Sequence, residues 1–438
     1  MRPHEALGRE SLLYRRHGRH LCLASGKDGA AGTRADPLRS IPAALAAAAR
    51  NARARLYVCE GIFDTQVTIA QPIAIYGGLT CSWAVKPDAK PTISPSRGVA
   101  FSIASVTGEV ALTDLNIAAI SDPATAGGSA IGMFISESKN VTLRQVTITA
   151  AYAQPGSKPT TLPNYNEPTA SKGSNAMGAL GGAETTCTCL DGKTSSRGGA
   201  GGSANNGVTA TTGTAVPAVG ADNGGFSSTN SCPAGPDGAN GVATAAGVGA
   251  TVPGRISKTG WEAFTTATAG GTGNPGQGGG GGGSMAATNF GGAGGGCGGC
   301  GGRGGAPGTN GGSSIALLSF DSVVLVIDGA VTSAAGGDAG TGGDGQDGQT
   351  GGPQGASACT GGAAGFGAGG SGGGGGAGGH SIAVAFRGLE PRLTRTTTKV
   401  GARGKGAAGG APGHGGGNEG SEGAKGSDGV AQLTLALP

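Results

Sequence analysis

The sequence predicts an all-β protein, a parallel β-solenoid broken by long glycine-rich insertions. Three observations predict it. Short β-type runs follow one another between residues 55 and 150 with no helix between them. A block of roughly 24 residues recurs, near the length of one solenoid coil. Glycine falls on every third residue in tracts that separate the copies. Composition agrees that this is neither an ordinary globular chain nor a disordered polyelectrolyte. Of 438 residues 97 are glycine, with only 4% aromatic and 13% charged.

Residues 1–20 form a basic N-terminal segment carrying Arg2, Arg9, Arg15, Arg16 and Arg19. It lacks the fold and aromatic pattern of a nucleic-acid site, and the net charge of +4 is spread without a long basic block, so no nucleic-acid partner is expected. Residues 21–150 read as folded protein. Within them "DPLRSIPAALAAAARNARA" (36–54) is a short helix with Ser40 as N-cap. The runs "RLYVCEG", "TQVTIA", "IAIYGGL", "VAFSIAS" and "VALTDLNIAA" then alternate in polarity and end in Gly, Asp, Ser or Pro. Residues 151–290 are a Gly/Ser/Thr/Ala-rich insertion, expected to be poorly packed, with "GRISKTGWEAF" around Trp261 as its one ordered spot. Residues 291–438 alternate glycine tracts with coils at 313–333, 380–400 and 430–438.

The repeat decides for a solenoid over a sandwich. "GGSAIGMFISESKNVTLRQVTITA" (127–150), "GGSSIALLSFDSVVLVIDGAVTSA" (311–334) and "GGHSIAVAFRGLEPRLTRTTTKV" (378–400) each open on a glycine pair. Each then places an isoleucine, Ile131, Ile315 or Ile382, ahead of further β-type runs. Per-repeat insertions map to loops outside a solenoid, so the tracts between copies are tolerated.

The order "SGKDGAAGTRADPLRSIPAAL", "YVCEGIFDTQVTI", "IAIYGGLTCSW" resembles the opening of bacterial right-handed parallel β-helix proteins of the pectate-lyase-like kind. The resemblance covers roughly residues 21–150 and implies a helix that caps the first coil. The later "SIALLS" and "SIAVAF" coils between glycine tracts resemble large exported glycine-rich, PGRS-like bacterial proteins. It implies an extracellular or outer-surface location. The N-terminus departs from that pattern, because no apolar stretch of signal-peptide length is present. A misassigned or trimmed start is the expected reason. No segment is long and apolar enough to cross a bilayer.

Three tracts carry the period: Gly296, Gly299, Gly302, Gly305, Gly308, Gly311; Gly367, Gly370, Gly373, Gly376, Gly379; and Gly417, Gly420, Gly423, Gly426, Gly429. Gly337, Gly340 and Gly343 share one frame, and Gly345, Gly348 and Gly351 another. A polyproline-II turn of about three residues would put each set on one edge. Collagen is excluded by short, phase-slipping runs with few prolines. Two readings stay open: a polyglycine-II-like bundle of side-by-side segments, or flexible tethers.

Chemistry is sparse. Cys59, Cys81, Cys187, Cys189, Cys232, Cys297, Cys300 and Cys359 are disulfide candidates, with Cys22 the ninth cysteine. A Cys59–Cys81 bridge between neighbouring coils is expected, with Cys359 joining Cys297 or Cys300. Cys187, Cys189 and Cys232 are expected to contain one further bridge. The C-x-x-C at 297–300 has no βαβ unit for a redox motif and no second pair for zinc. "GGDGQDG" offers Asp344 and Asp347 as calcium ligands, but without the tandem copies that such sites need. No other metal or cofactor is expected. For a polysaccharide lyase or hydrolase the coils supply only single Asp114 and Asp321, and Arg144 without an acidic neighbour. His380 and His414 sit isolated in glycine. The expectation is a non-enzymatic secreted or cell-surface structural or adhesive protein, with self-association or surface glycans as partners. A polysaccharide-acting enzyme is one alternative. A repetitive ice- or glycan-binding surface is the other, hinted at by "TRTTTKV" (394–400).

Overall fold

Alternation of polarity makes the short strands, and single left-handed residues turn them. In the strand Val110–Thr113 the first and third side chains are buried. In the strand Asn116–Ala119 the second and fourth are. Between them Asp114 takes φ 56°, and Gln145, Asp328 and Arg395 do the same at the matching places of later repeats, with φ 52°, 53° and 48°. One residue in this region redirects the chain within a two-residue link, a conformation that costs a side-chain-bearing residue more than glycine.

The computed structural model describes residues 20–438 except 23, 53, 220–230 and 417. The basic segment therefore lies, but for residue 20, outside the described residues. The described chain is mostly strand and irregular segment. One sheet has seven strands and two have six each, all of them parallel. From Arg55–Cys59 onward the chain visits the three sheets in the same order, and each strand pairs with its counterpart from the previous or next pass. The repeated isoleucines stack in register, Ile131 on Ile315 and Ile315 on Ile382. Inside, Val110, Val141 and Val324 form one column, and Leu112, Leu143 and Val326 another.

The strands Ala130–Ser136 and Ser314–Phe320 are buried at every residue. Here both faces of the sheet are covered, as is common for parallel strands, whereas Val67–Ile69 and Ala431–Ala436 of the same sheet expose outward side chains. The inner face meets the core. The outer face, with Phe134, Leu318 and the stacked isoleucines, meets Ile256 and Trp261 of an antiparallel hairpin, Gly254–Ser257 with Gly260–Ala263. The segment around Trp261 is thus a cover. Helix α1 (Ile41–Arg50) begins where the Ser40 hydroxyl accepts the Ala43 amide, and buries Ile41, Ala44, Leu45 and Ala48 in the same core.

Loose packing over 151–290 is corrected by the structure. The segment contains a three-stranded antiparallel sheet (Thr185–Thr188, Ser195–Gly198, Thr214–Val216) and glycine-rich runs bonded backbone to backbone. Neighbouring runs satisfy amides that a solitary loop would leave to water.

Leu317 lies fully buried between Met133 and Val384. Leu317→Ala is expected to lower unfolding free energy by about 2–5 kcal/mol in denaturant titration. A change below about 0.5 kcal/mol would show that this column is not a packed core.

Candidate functional site

The largest constructed feature beside the sheets is the array of glycine runs. Between circuits the chain leaves the sheet, doubles back and re-enters. The amides of Gly296, Gly299, Gly302, Gly305, Gly308 and Gly311 donate to the carbonyls of Gly362, Gly365, Ala368, Ser371, Gly374 and Ala377. Acceptor and donor advance together by three, so these runs are parallel. The amides of Gly367, Gly370, Gly373, Gly376 and Gly379 donate to Gln349, Gln346, Gly343, Gly340 and Gly337, which is antiparallel. Gly420, Gly423, Gly426 and Gly429 bond to Gly413, Gly410, Ala407 and Gly404. Gly417 lies outside the described residues.

The apparent phase slip in 337–351 has a structural meaning. Gly337, Gly340 and Gly343 donate to the 291–313 run, whereas Gly345 and Gly348 donate to Ala411 and His414. The two frames are two edges of one run, each facing its own neighbour.

The run 291–313 shows why one glycine edge is not enough. A Cβ on Gly299, Gly302 or Gly305 would sit 1.8–1.9 Å from a carbonyl oxygen of the 343–349 segment. A Cβ on Gly298, Gly301 or Gly304 would sit 1.7–1.9 Å from a carbonyl oxygen of the 270–276 segment. Over residues 298–305, two edges of the three must be bare. The third holds Cys297, Cys300, Arg303, Ala306 and Thr309. Sequence reading found one glycine edge and missed the second; the signal was the Gly-Gly-X pattern of residues 295–306.

Side chains on third edges mostly serve the backbone. Asp338, Asp344 and Asp347 accept the amides of Lys405, Ala411 and His414 at 2.7, 2.9 and 2.8 Å. Asn310 and Ser313, in the phase of Gly298, Gly301 and Gly304, do so for Ala377 and His380. The calcium candidates are thus rungs of a ladder. Asp344 also receives Lys158 Nζ at 2.7 Å, and Asp347 the Asn164 side-chain amide at 2.6 Å. The Lys158 bond, then the Ala411 amide, hold the Asp344 carboxyl below its usual range. Among the described residues no three His, Cys, Asp or Glu side chains gather as a metal site.

Four disulfides staple the molecule. Cys59 joins Cys81 across one circuit. Cys187 joins Cys297, Cys189 joins Cys300 and Cys232 joins Cys359. The expected partnership of Cys359 with the C-x-x-C is corrected, as is a bridge within the 187, 189, 232 group. The reason is a matching of periods. On a strand C-x-C puts both sulfurs on one face. On a three-residue turn C-x-x-C puts both on one edge. The two pairs therefore meet in order, and Cys359 goes to the run that begins at Cys232. Cys22 is free and buried, and burial pushes its thiol up to about 12.

Of the residues weighed for catalysis, Asp114 and Arg144 lie at one corner and Asp321 at another. Asp114 shares its corner with Gln145 and Asp328; Asp321 shares a different one with Ser105 and Glu137. Lys90 Nζ lies 3.9 Å from Asp114 and donates to the Gln145 carbonyl. Arg144 has an acidic neighbour after all: its charge acts on Asp328, which binds Arg395 in two hydrogen bonds of 2.6 and 2.9 Å. His414 pairs with Glu419 at the surface. Strands Arg392–Thr394 and Thr397–Lys399 take "TRTTTKV" into the last full circuit.

His380 is a third kind of rung. Ser129 accepts the Ser313 amide, Ser313 accepts that of His380, and His380 Nδ1 accepts that of Val430 at 3.1 Å. Burial lowers its pKa from 6.5 to about 4. The unfolded chain binds the proton as pH falls through 6.5, the folded chain only near 4. The contribution is therefore whole above pH 6.5 and lost on descending to about 4. Its size is on the order of 3 kcal/mol. His380→Ser keeps an acceptor and is expected to flatten this part of the pH–stability curve. An unchanged curve would contradict the assignment.

Gly302→Ala is expected to cost at least about 1–3 kcal/mol, read as a fall in Tm. Gly29→Ala, with nothing within 4 Å of its Cβ, is the neutral comparison. Equal Tm values would contradict the close packing. The chain matches no known protein family, no curated protein and no solved structure.

Proposed function

We propose that this chain is a non-enzymatic structural protein, secreted or displayed on a cell surface, whose working part is the glycine-run bundle. Its three sheets wind as a right-handed parallel β-helix. Fixed rotation through three parallel sheets supports the helix, and the near-universal hand of parallel crossovers supports its sense. The runs are polyglycine-II-like, supported by hydrogen bonds that recur every third residue to neighbours on several sides. Helix and bundle together keep the resemblance to exported glycine-rich, PGRS-like proteins as the working hypothesis.

One observation carries the functional reading: third-edge side chains that look like ligands or catalysts are spent on holding the bundle together. Asp344, Asp347 and His380 bond backbone amides, and the paired cysteines form staples. A chain organised this way offers a stiff, repetitive body for adhesion or self-assembly. Four disulfides support an oxidising compartment.

A second reading is favoured by one surface. Val242 and Val248 are about half exposed, and Ala245 and Thr251 are exposed in the same three-residue phase. The neighbouring run exposes Thr266, Ala269 and Thr272. A flat uncharged array suits ice or a crystalline glycan.

Purified protein is expected to self-associate or adhere to surfaces, with no turnover of polyuronic acids in calcium. Turnover abolished by Asp114→Ala or Asp321→Ala would overturn the structural reading. Thermal hysteresis without adhesion would favour the second.

A further inference from the structure

Arg303 is the one charged residue on the run 291–313, and the chain from 263 to 302 holds no Asp, Glu, Lys or Arg ahead of it. Its position is third-edge, where Ala306 and Thr309 show that glycine is not required. A half-buried guanidinium in such surroundings calls for a counter-charge, because desolvation penalises it. Among the described residues no carboxylate lies within ion-pair distance of it, although Glu167 lines the same cavity. Its recorded side-chain partner is neutral: Nε donates to Gln346 Oε1 at 3.3 Å.

The surroundings hold that side chain ready. Gln346 is 2% exposed; its Oε1 also accepts the Arg303 amide, and its Nε2 donates to the Pro163 carbonyl at 2.7 Å. One step along, Gln349 repeats the arrangement between Cys300 and the Glu167 carbonyl. Tyr165 donates its hydroxyl to the Gly301 carbonyl at 2.6 Å, which fixes its ring. These residues line one cavity of about 350 Å³, with Leu190 and the Cys189–Cys300 bridge opposite. That volume is at the small end for small-molecule sites.

We propose that this cavity binds a small organic carboxylate. With Nε committed to Gln346, the guanidinium keeps its two terminal nitrogens, a planar fork that matches a carboxylate. The Tyr165 ring and Leu190 then offer an apolar side for the body of the ligand. A dianion such as phosphate is disfavoured relative to a monoanion, because Glu167 lines the same cavity. The site is independent of the adhesive reading: a purely structural protein could hold it, and loss of adhesion would leave the test below intact.

The test is calorimetric titration of the full chain with glucuronate and with benzoate, against glucose, chloride and phosphate. Expected is saturable binding of at least one carboxylate, none of glucose, and at least a tenfold loss in Arg303→Ala at unchanged Tm. Arg303→Lys is expected to lose nearly as much, since a point charge cannot replace the fork. Preference for glucuronate or for benzoate identifies a sugar acid or an aromatic acid as the source. No carboxylate binding, equal binding of chloride or phosphate, or unchanged affinity in Arg303→Ala would each overturn the proposal.

Discussion

The structure depends on one constraint: a buried backbone amide needs a partner. Long stretches of this chain are buried without side chains to make a core. Residues 367–383 are buried throughout, yet hold mainly glycine and alanine. What lies against them is other backbone, close enough that their amides are bonded to it. Ordering a residue costs about 1–2 kcal/mol, and a hydrogen bond returns about 0.5–1.5. The two are near enough that a run stands only when its ends are held. Here the ends are held by strands, which re-enter the sheets in register, and by disulfides spanning separations of 110, 111 and 127 residues.

From that constraint the rest of the composition follows. Close approach on two edges demands Gly-Gly-X. The third edge then decides what the run can do besides pack. At the periphery it carries Asp, Ser or Thr, whose side chains accept amides on the adjoining run; Asn310, Gln346 and Gln349 do so from other edges. Facing the strand Thr185–Thr188 and the adjoining Cys189 it carries cysteines. In one place it carries Arg303. Sheets and bundle share a repeat: where Ser313 and His380 accept an amide at the entry to a strand, the column continues the ladder that the glycine runs bring to it.

Much of this was legible in the sequence, and unevenly. The strands were, because alternation in "VALTDLNIAA" has a direct meaning for burial. The stacking of Ile131, Ile315 and Ile382 was, because identical places in repeats meet in a parallel sheet. The glycine period was visible, but its second edge was hidden by composition: where glycine is this dense, Gly-Gly-X looks like noise. The frame change between Gly343 and Gly345 looked like broken register because a run has more than one bonding edge. Pairing of Cys359 with Cys232 was not legible, since the order of runs in space is not their order in the chain. The environment of Arg303 was hidden for the same reason. Pro163, Tyr165, Leu190 and Gln346 come together only after two separate excursions, 151–313 and 334–380, have folded back.

Amide hydrogen exchange across 291–313 and 362–379 tests the central claim most directly. The account predicts slow exchange at Gly296, Gly299, Gly302, Gly305, Gly308 and Gly311, and at Gly367, Gly370, Gly373, Gly376 and Gly379, because each donates to a neighbouring run. Fast exchange throughout both runs, with random-coil shifts, would contradict it and return the glycine tracts to tethers.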